Sequence, residues 1–451
     1  MGASHNENDQ SIPGSYTEAA LRLLLDSGAT AETLWCIAPS LETSFAIAGS
    51  AREASSVPIS DRIRRTIRDR AAEGRRRRRA GVAAIEEVVV AWDTQNQHRI
   101  LAPLIDSLSG KAGTRILRWG RRRGRSGGLG RDYERRGGMV PVRLDQAFAD
   151  TTSIERLIDR ARASISLTGE SLQRFAPRVV VLASQQSVLA RAFALLGERD
   201  AVTVYLPHAP MADAPWYLDL PFHRAGLRGP GEVDFVKPLV TQPSSVHDVG
   251  NPSIESVQIA DHLDIGKVVL ALSPASDREL DAIFEMVLRS GLDPIVAPHP
   301  RQRRAGLRRR LPGGWRLSAA QSTDDILATG PGALVQRSSG VGLEAMRRGI
   351  PVIDIRLDRS PPTYLYLRSP EVLTAHDGAT LSESLDRART IAADREARQK
   401  LVNVAAHWSG PSGTDSVARC VELIKEAGSQ SGASQPLLLD KWTELRSKSR
   451  P

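Results

Sequence analysis

Apolar residues in this chain follow two rhythms. Short runs such as Val88-Val89-Val90-Ala91-Trp92 and Val179-Val180-Val181-Leu182-Ala183 stay apolar over the length of a strand. Between such runs, apolar positions recur every three or four residues, the spacing that gathers them on one helical face. The first rhythm predicts strands at 87–92, 115–118, 179–183, 202–206, 268–272, 294–297, 333–336 and 351–355. The second predicts helices at 154–167, 186–197, 277–290, 340–348 and 380–393. Unbroken apolar strands alternating with helices describe βαβ units, with parallel sheets covered on both faces.

The alternation fades over 207–265, a stretch rich in proline and glycine, and restarts at Lys267. The pattern therefore predicts an α/β fold of two doubly wound, Rossmann-like domains joined near 250–266. The expected divisions are a helical N-terminal extension at 1–80, a first domain at 81–255, a second at 256–425 and a loose tail at 426–451, with 435–446 a terminal helix.

At 451 residues, 41% hydrophobic and 25% charged, the chain can bury more than one core. Collagen-like and wholly disordered readings are excluded. Two cysteines, Cys36 and Cys420, cannot make a disulfide framework and fit a reducing compartment. No apolar run approaches the roughly 18 residues of a membrane span, and Met1–Gln10 carries no signal-peptide pattern. A cytoplasmic protein is expected.

Charge changes this picture locally. The net charge is +9, and between Arg62 and Arg136 there are 21 basic and 8 acidic residues, so the remainder of the chain is net acidic. The arginines are densest at Arg75–Arg79 and Arg118–Arg136. Such segments can hold an anionic acceptor, or rest peripherally on the inner face of a membrane. No zinc finger, RRM aromatic signature or bZIP heptad accompanies them, and no nucleic-acid partner is expected.

In doubly wound sheets ligands bind beyond the carboxyl ends of the strands. In the second half those positions hold Ser273, then His299-Pro300, then Ser338-Ser339-Gly340. The last three open a helix expected to stop at Gly349, and free N–H groups at a helix start can hold a phosphate. Glu344, one turn on, is placed to accept hydrogen bonds from ribose hydroxyls. The plainer alternative is a serine cap and a surface carboxylate. His299, flanked by Pro298 and Pro300, is held stiffly, and an imidazolium there can neutralise or protonate a departing phosphate. In the first half Asp93, His98 and His208 each follow a strand and are candidates to deprotonate an acceptor. No Asp-x-Asp pair stands at a strand end, so neither a metal nor a tightly bound cofactor is expected.

Together, His299-Pro300, Ser338-Ser339-Gly340, Glu344-Ala345 and Gly349-Ile350-Pro351-Val352-Ile353 resemble the C-terminal domain of GT-B glycosyltransferases of bacterial surface polymers. The similar groups are capsule-polysaccharide and polysialyltransferase-like enzymes and CDP-glycerol glycerophosphotransferases. In the first half Ser184-Gln185-Gln186, VTVYLPHAP, AWDTQNQHRILAPLIDSL and Val249-Gly250-Asn251-Pro252 are similar too, as is the closing HWSGPSGTDSVARCVELI; the likeness spans about 86–425. The resemblance implies a deep interdomain cleft and a metal-independent transferase. It would move a sugar, or a polyol phosphate, from a nucleotide-linked donor to a surface polysaccharide or glycolipid acceptor. It favours CMP or CDP over UDP in the donor, and implies that His299, Ser338 and Ser339 contact the nucleotide phosphate. Pro207-His208-Ala209 departs from the usual Gln-His-Gly, and the acidic-acidic-glycine motif of polysialyltransferases is not found, which leaves the acceptor-activating group open. Two alternatives stand: a nucleotide-sugar 2-epimerase-like enzyme, which needs several acidic residues in the cleft, and a catalytically silent GT-B protein that binds a nucleotide or a partner.

Overall fold

The computed structural model describes residues 33, 36–37, 88–92, 94–108, 114–119, 139–142, 154–197, 201–212, 220–240, 245–254, 259–273, 275–299, 302, 304–320, 322–357 and 362–429. The first sheet has seven strands: β1 (Val88–Trp92), β2 (Thr114–Trp119), β3 (Met139–Val142), β4 (Val179–Leu182), β5 (Val202–Tyr205), β6 (Arg224–Leu227) and β7 (Val246–Asp248). Their order is β3-β2-β1-β4-β5-β6-β7, and every pairing is parallel. The second sheet has six: β8 (Asp264–Ala271), β9 (Ile295–Ala297), β10 (Arg316–Leu317), β11 (Pro331–Gln336), β12 (Val352–Ile355) and β13 (Leu373–Ala375). It is again parallel throughout, in the order β10-β9-β8-β11-β12-β13. Both orders start at a central strand, run outward and return to the other side, so the expected pair of doubly wound sheets is present.

The apolar runs explain the strands. Every residue of β1 and β4 is buried, and successive residues serve opposite faces. Val89, Ala91, Val180 and Leu182 enter one core, while Val88, Val90, Val179 and Val181 enter the other. Helices α1 (Gln95–Leu108), α2 (Ile154–Phe175), α3 (Val188–Gly197) and α4 (Pro230–Val236) accompany the first sheet. Helices α5 (Asp277–Arg289), α6 (Arg304–Arg310), α7 (Thr323–Leu327), α8 (Val341–Arg347), α9 (Gly378–Ala393) and α10 (Arg395–Ser409) accompany the second, and α11 (Gly413–Ser429) is the last element among the described residues. The expected stop of α8 is built as a Schellman motif. Gly349, at φ +71°, donates its N–H to Met346 O at 2.9 Å, and Ile350 N–H reaches Ala345 O at 3.0 Å.

Three expectations are corrected. The proline- and glycine-rich stretch does not interrupt the alternation, because β6, α4 and β7 all lie within it. β6 is four residues long and contains Gly226, where a Cβ would come within 2.7–2.9 Å of Leu206, Val249 and Leu423, so the site excludes the β-branched residues that mark a strand. β8 begins at Asp264 rather than 268, because its first residues, Asp264-Ile265-Gly266, are exposed and do not continue the apolar run, and α2 continues to Phe175.

The third correction concerns the domains. Helix α11 buries Cys420, Val421, Leu423, Ile424 and Ala427 in the same core as Val88 and Val181, so residues 413–425 pack on the first domain rather than the second. The helix also runs to Ser429, into the segment expected to be loose tail. The chain thus crosses between domains twice, and the crossings touch: Asn251 N–H donates to Pro411 O at 2.9 Å, and Gly413 N–H to Ile254 O at 2.7 Å. Gly250 sits at φ +80°, where a Cβ would strike the Pro411 carbonyl.

Cys36 and Cys420 are both buried. No described helix is long and apolar enough to cross a membrane. The N-terminal extension apart from residues 33, 36 and 37, the segments Arg75–Arg79 and 120–136, and 435–446 lie outside the described residues.

Candidate functional site

Because every strand is parallel, each sheet has a single carboxyl edge, and the two edges border one cavity of about 790 Å3 between the domains. From the first domain it is lined by Asn96, Arg99 and Ile100 of α1, by His208 after β5, Arg228 after β6, and Asn251 and Ser253. From the second come Ser273 after β8, His299 after β9, Ser338, Ser339 and Gly340 after β11, Glu344 of α8, and Arg356 after β12. Seven of the residues singled out in the sequence therefore meet in one cleft: His208, Ser273, His299, Ser338, Ser339, Gly340 and Glu344. Asp93 and Pro300 lie outside the described residues. His98 does not line the cavity; its buried ring packs against Trp92 with centroids 5.0 Å apart.

Two histidines line the cavity, one from each domain. His208 Nδ1 lies 2.5 Å from the carbonyl oxygen of Ala183, at the end of β4. A carbonyl can only accept, so the proton resides on Nδ1 and the neutral ring carries its lone pair on Nε2. The backbone of His299 is tied to Gln302: its N–H donates to Gln302 Oε1 at 2.9 Å, and its carbonyl accepts the Gln302 N–H at 2.8 Å.

The serine loop is tightly braced. Ser338 adopts φ +44°, unusual for a residue with a side chain, and its N–H donates to Asp354 Oδ1 at 2.8 Å. That bond is a correction, since the Ser338 N–H is not available to a ligand. The N–H groups of Ser339 and Gly340 meet no acceptor among the described residues. The Ser339 carbonyl accepts the Tyr366 hydroxyl, and Gln336 Nε2 donates to the same hydroxyl oxygen at 2.9 Å. Ser273 serves as a brace too, donating to the Arg337 carbonyl at 2.6 Å and so tying the ends of β8 and β11. At Gly340 a Cβ would lie 3.0 Å from Cδ of Pro210, so the glycine admits close approach of the two domains.

The charged groups divide sharply. Glu344 pairs across the cleft with Arg99, Nη2 to Oε1 3.6 Å. Burial pushes its carboxyl above the usual range, against the pull of Arg99. Arg337 is balanced by Glu279 at 2.8 Å, and Arg356 by the fully buried Asp354 at 3.3 Å. Burial likewise raises Asp354, opposed by the Ser338 N–H and Arg356. Arg228 has no ion-pair partner among the described residues. No group of three His, Cys, Asp or Glu suited to a metal occurs among the described residues.

Sequence reasoning missed Arg228, Gln302, Asp354 and Tyr366. The first was findable, because it directly follows β6, but that strand was not recognised. Asp354 also left a trace, as a carboxylate set inside the apolar run Pro351-Val352-Ile353-Asp354-Ile355. Gln302 and Tyr366 act through contacts that no spacing announces.

No protein-family model matches the sequence, and no curated protein does. Solved structures are similar in fold. UDP-GlcNAc 2-epimerase from Neisseria meningitidis, bound to UDP-GlcNAc, superposes with a TM-score of 0.53 at 13% identity, covering 75% of this chain and 100% of that one. The S. aureus MnaA–UDP structure gives 0.51 at 15% identity, over 76% and 96% of the two chains. CalG4, the calicheamicin glycosyltransferase, gives 0.50 at 17% identity, over 76% and 98%. With its two parallel sheets facing a cleft, the chain has the GT-B fold.

Proposed function

We propose that this chain is a glycosyltransferase that uses a nucleotide-linked donor and works across the cleft between its two domains. The observation that carries the reading is the cavity itself: a histidine with its lone pair on Nε2 from one domain meets a histidine and a braced Ser-Ser-Gly loop from the other. The donor phosphate would take the Ser339 and Gly340 N–H groups and the serine hydroxyls, with Glu344 on the ribose. His208 Nε2 would accept the proton of an acceptor hydroxyl as its oxygen attacks the anomeric carbon. The bond from that carbon to the phosphate oxygen breaks, and His299 gives the departing phosphate a proton or opposes its charge. Closing the domains would align the reactants and exclude water.

A cytidine-linked donor (CMP or CDP) and a surface-polysaccharide or glycolipid acceptor follow from the family resemblance. So does a cytoplasmic site with the arginine segments against an anionic acceptor or the inner face of a membrane. The mechanism gives no step to a metal.

The neighbouring 2-epimerases keep a second reading in view. That chemistry calls for several acidic groups in the cleft. Among the described lining residues the carboxylates are Asp324 and Glu344, both from the second domain and both paired with arginines, Arg348 and Arg99. The transferase reading fits this lining better. Incubation with CMP-, CDP-, UDP- and GDP-linked sugars tests it. Nucleotide release that depends on an added glycan acceptor is the expected result. Epimerised donor without release would replace the reading, and failure to bind any donor would leave a silent GT-B protein.

A further inference from the structure

We propose that Arg228 is an anion-binding residue of the cleft, the first domain's contact to the phosphates of the donor nucleotide. The proposal rests on the donor reading above.

Arg228 directly follows β6, is 5% exposed and lines the interdomain cavity. Its guanidinium makes no ion pair and no hydrogen bond among the described residues, and Nε is buried without a partner. Buried structural arginines are normally saturated with acceptors, because an uncompensated buried charge is strongly unfavourable. The other arginines of the cavity wall obey that rule: Arg99, Arg337 and Arg356 each face a carboxylate.

The carboxylate nearest in sequence does not serve the guanidinium. Glu232 Oε1 accepts the Met211 N–H and Oε2 accepts Arg228's own backbone N–H, both at 2.9 Å. Glu232 therefore fixes the backbone that carries the arginine; it feels the Arg228 charge as the first pull against its burial, but none of its hydrogen bonds goes to the guanidinium. The field reaches the second domain: the Arg347 guanidinium is pushed down to about 10, first by burial and then by Arg228.

A phosphate supplies what is missing. Its oxygens match the planar guanidinium fork in two parallel, charge-assisted hydrogen bonds. Arg228 also acts electrostatically on Glu344, Tyr364 and Tyr366, and the Tyr366 hydroxyl holds the Ser339 carbonyl. Arg228 also shares one cavity wall with Ser338, Ser339 and Gly340, the loop that would take the donor. A nucleotide gripped by Ser339 from one domain and Arg228 from the other would couple donor binding to domain closure.

The test compares the wild type with Arg228→Gln and Arg228→Lys, using inorganic pyrophosphate, CDP, UDP and the free nucleosides. Binding is read by calorimetry and by the shift in melting temperature. Arg228→Gln should bind pyrophosphate and CDP about tenfold to a hundredfold more weakly, with nucleoside binding unchanged and Arg228→Lys intermediate. Without ligand, Arg228→Lys, which keeps the charge opposite Glu232, should melt within a few degrees of the wild type, whereas loss of guanidinium contacts that hold the fold together would lower it further. Unchanged pyrophosphate and CDP affinity in Arg228→Gln overturns the inference and leaves the function standing. Pyrophosphate binding that depends on Arg228 but is not displaced by CDP overturns the assignment to the donor. Arg228-dependent pyrophosphate binding with no nucleotide bound at all overturns the donor reading itself.

Discussion

Asp354 Oδ1 accepts the backbone N–H of Ser338 at 2.8 Å, linking the ends of two neighbouring strands. Ser338 is held at φ +44°, a left-handed conformation that costs a residue with a Cβ about 1–2 kcal/mol. Such strain persists only where surrounding structure enforces it, and here the enforcing group is a fully buried carboxylate steadied by Arg356. Asp354→Asn should lower stability by about 1–3 kcal/mol and weaken nucleotide binding through the loosened loop. The loss should depend on pH. Burial raises the Asp354 carboxyl above its ordinary 3.8, so the folded protein binds this proton more tightly than the unfolded chain. Its contribution is fully present at pH values below 3.8 and is lost as pH rises through the folded value. Urea midpoints should therefore separate wild type from Asp354→Asn more at pH 4 than at pH 7. Equal separations would remove the carboxylate from this account.

Ser339 and His299 should be dispensable for folding and indispensable for transfer. Ser339 Oγ accepts the Val341 N–H at a long 3.4 Å, a contact worth less than about 1 kcal/mol. His299 makes two backbone bonds with Gln302, which an alanine retains. Ser339→Ala and His299→Ala should keep the wild-type circular dichroism and melt within a few degrees of it. Both should lose at least about a hundredfold in kcat/KM. Near wild-type turnover by either variant would sever the loop from the chemistry.

The two sheets were legible in the chain because their central strands are buried on both faces and so are apolar throughout, as in Val88–Trp92 and Val179–Leu182. The cleft was legible for a related reason, since parallel strands put the residues that follow them on one edge. What escaped lacks a local signal. β6 is short and holds a glycine that three side chains crowd, so it did not look like a strand, and Arg228 was lost with it. Helix α11 is amphipathic in sequence, but periodicity does not say which sheet its apolar face will cover. The Ser338 N–H looked free because its acceptor, Asp354, lies 16 residues away on the next strand.

Gly340 measures how closely the domains must approach. A Cβ there would lie 3.0 Å from Cδ and 3.2 Å from Cγ of Pro210, across the cleft. Gly340→Ala leaves each core intact, and the rigid proline ring yields little, so the strain should be relieved by parting the domains. Small-angle scattering should show a larger radius of gyration, and KM for the donor should rise, with the melting temperature little changed. A variant with unaltered scattering and KM would mean that the contact is not needed for closure.

The arginine segment makes a separate prediction from charge alone. Replacing Arg121, Arg122, Arg123 and Arg125 with glutamine removes four of the nine net positive charges. If the segment holds an anionic surface, binding to vesicles containing phosphatidylglycerol should weaken by several kcal/mol in sum, at about 1 kcal/mol per basic residue. The difference should fade as salt rises, because screening shortens the reach of the field. Equal binding of the two proteins at low salt would remove these arginines from the membrane reading.

His208 separates acceptor activation from donor binding. The Ala183 carbonyl holds its Nδ1 proton, which fixes the tautomer that has a basic Nε2. Glutamine offers polar atoms of similar reach but no basic nitrogen. His208→Gln should therefore lower kcat by about a hundredfold to ten-thousandfold while leaving the affinity for nucleotide unchanged. His299→Ala should instead impair departure of the nucleotide, so a donor with a better leaving group should rescue His299→Ala and leave His208→Gln slow. If both variants are rescued alike, the two histidines do not divide the reaction between attack and departure.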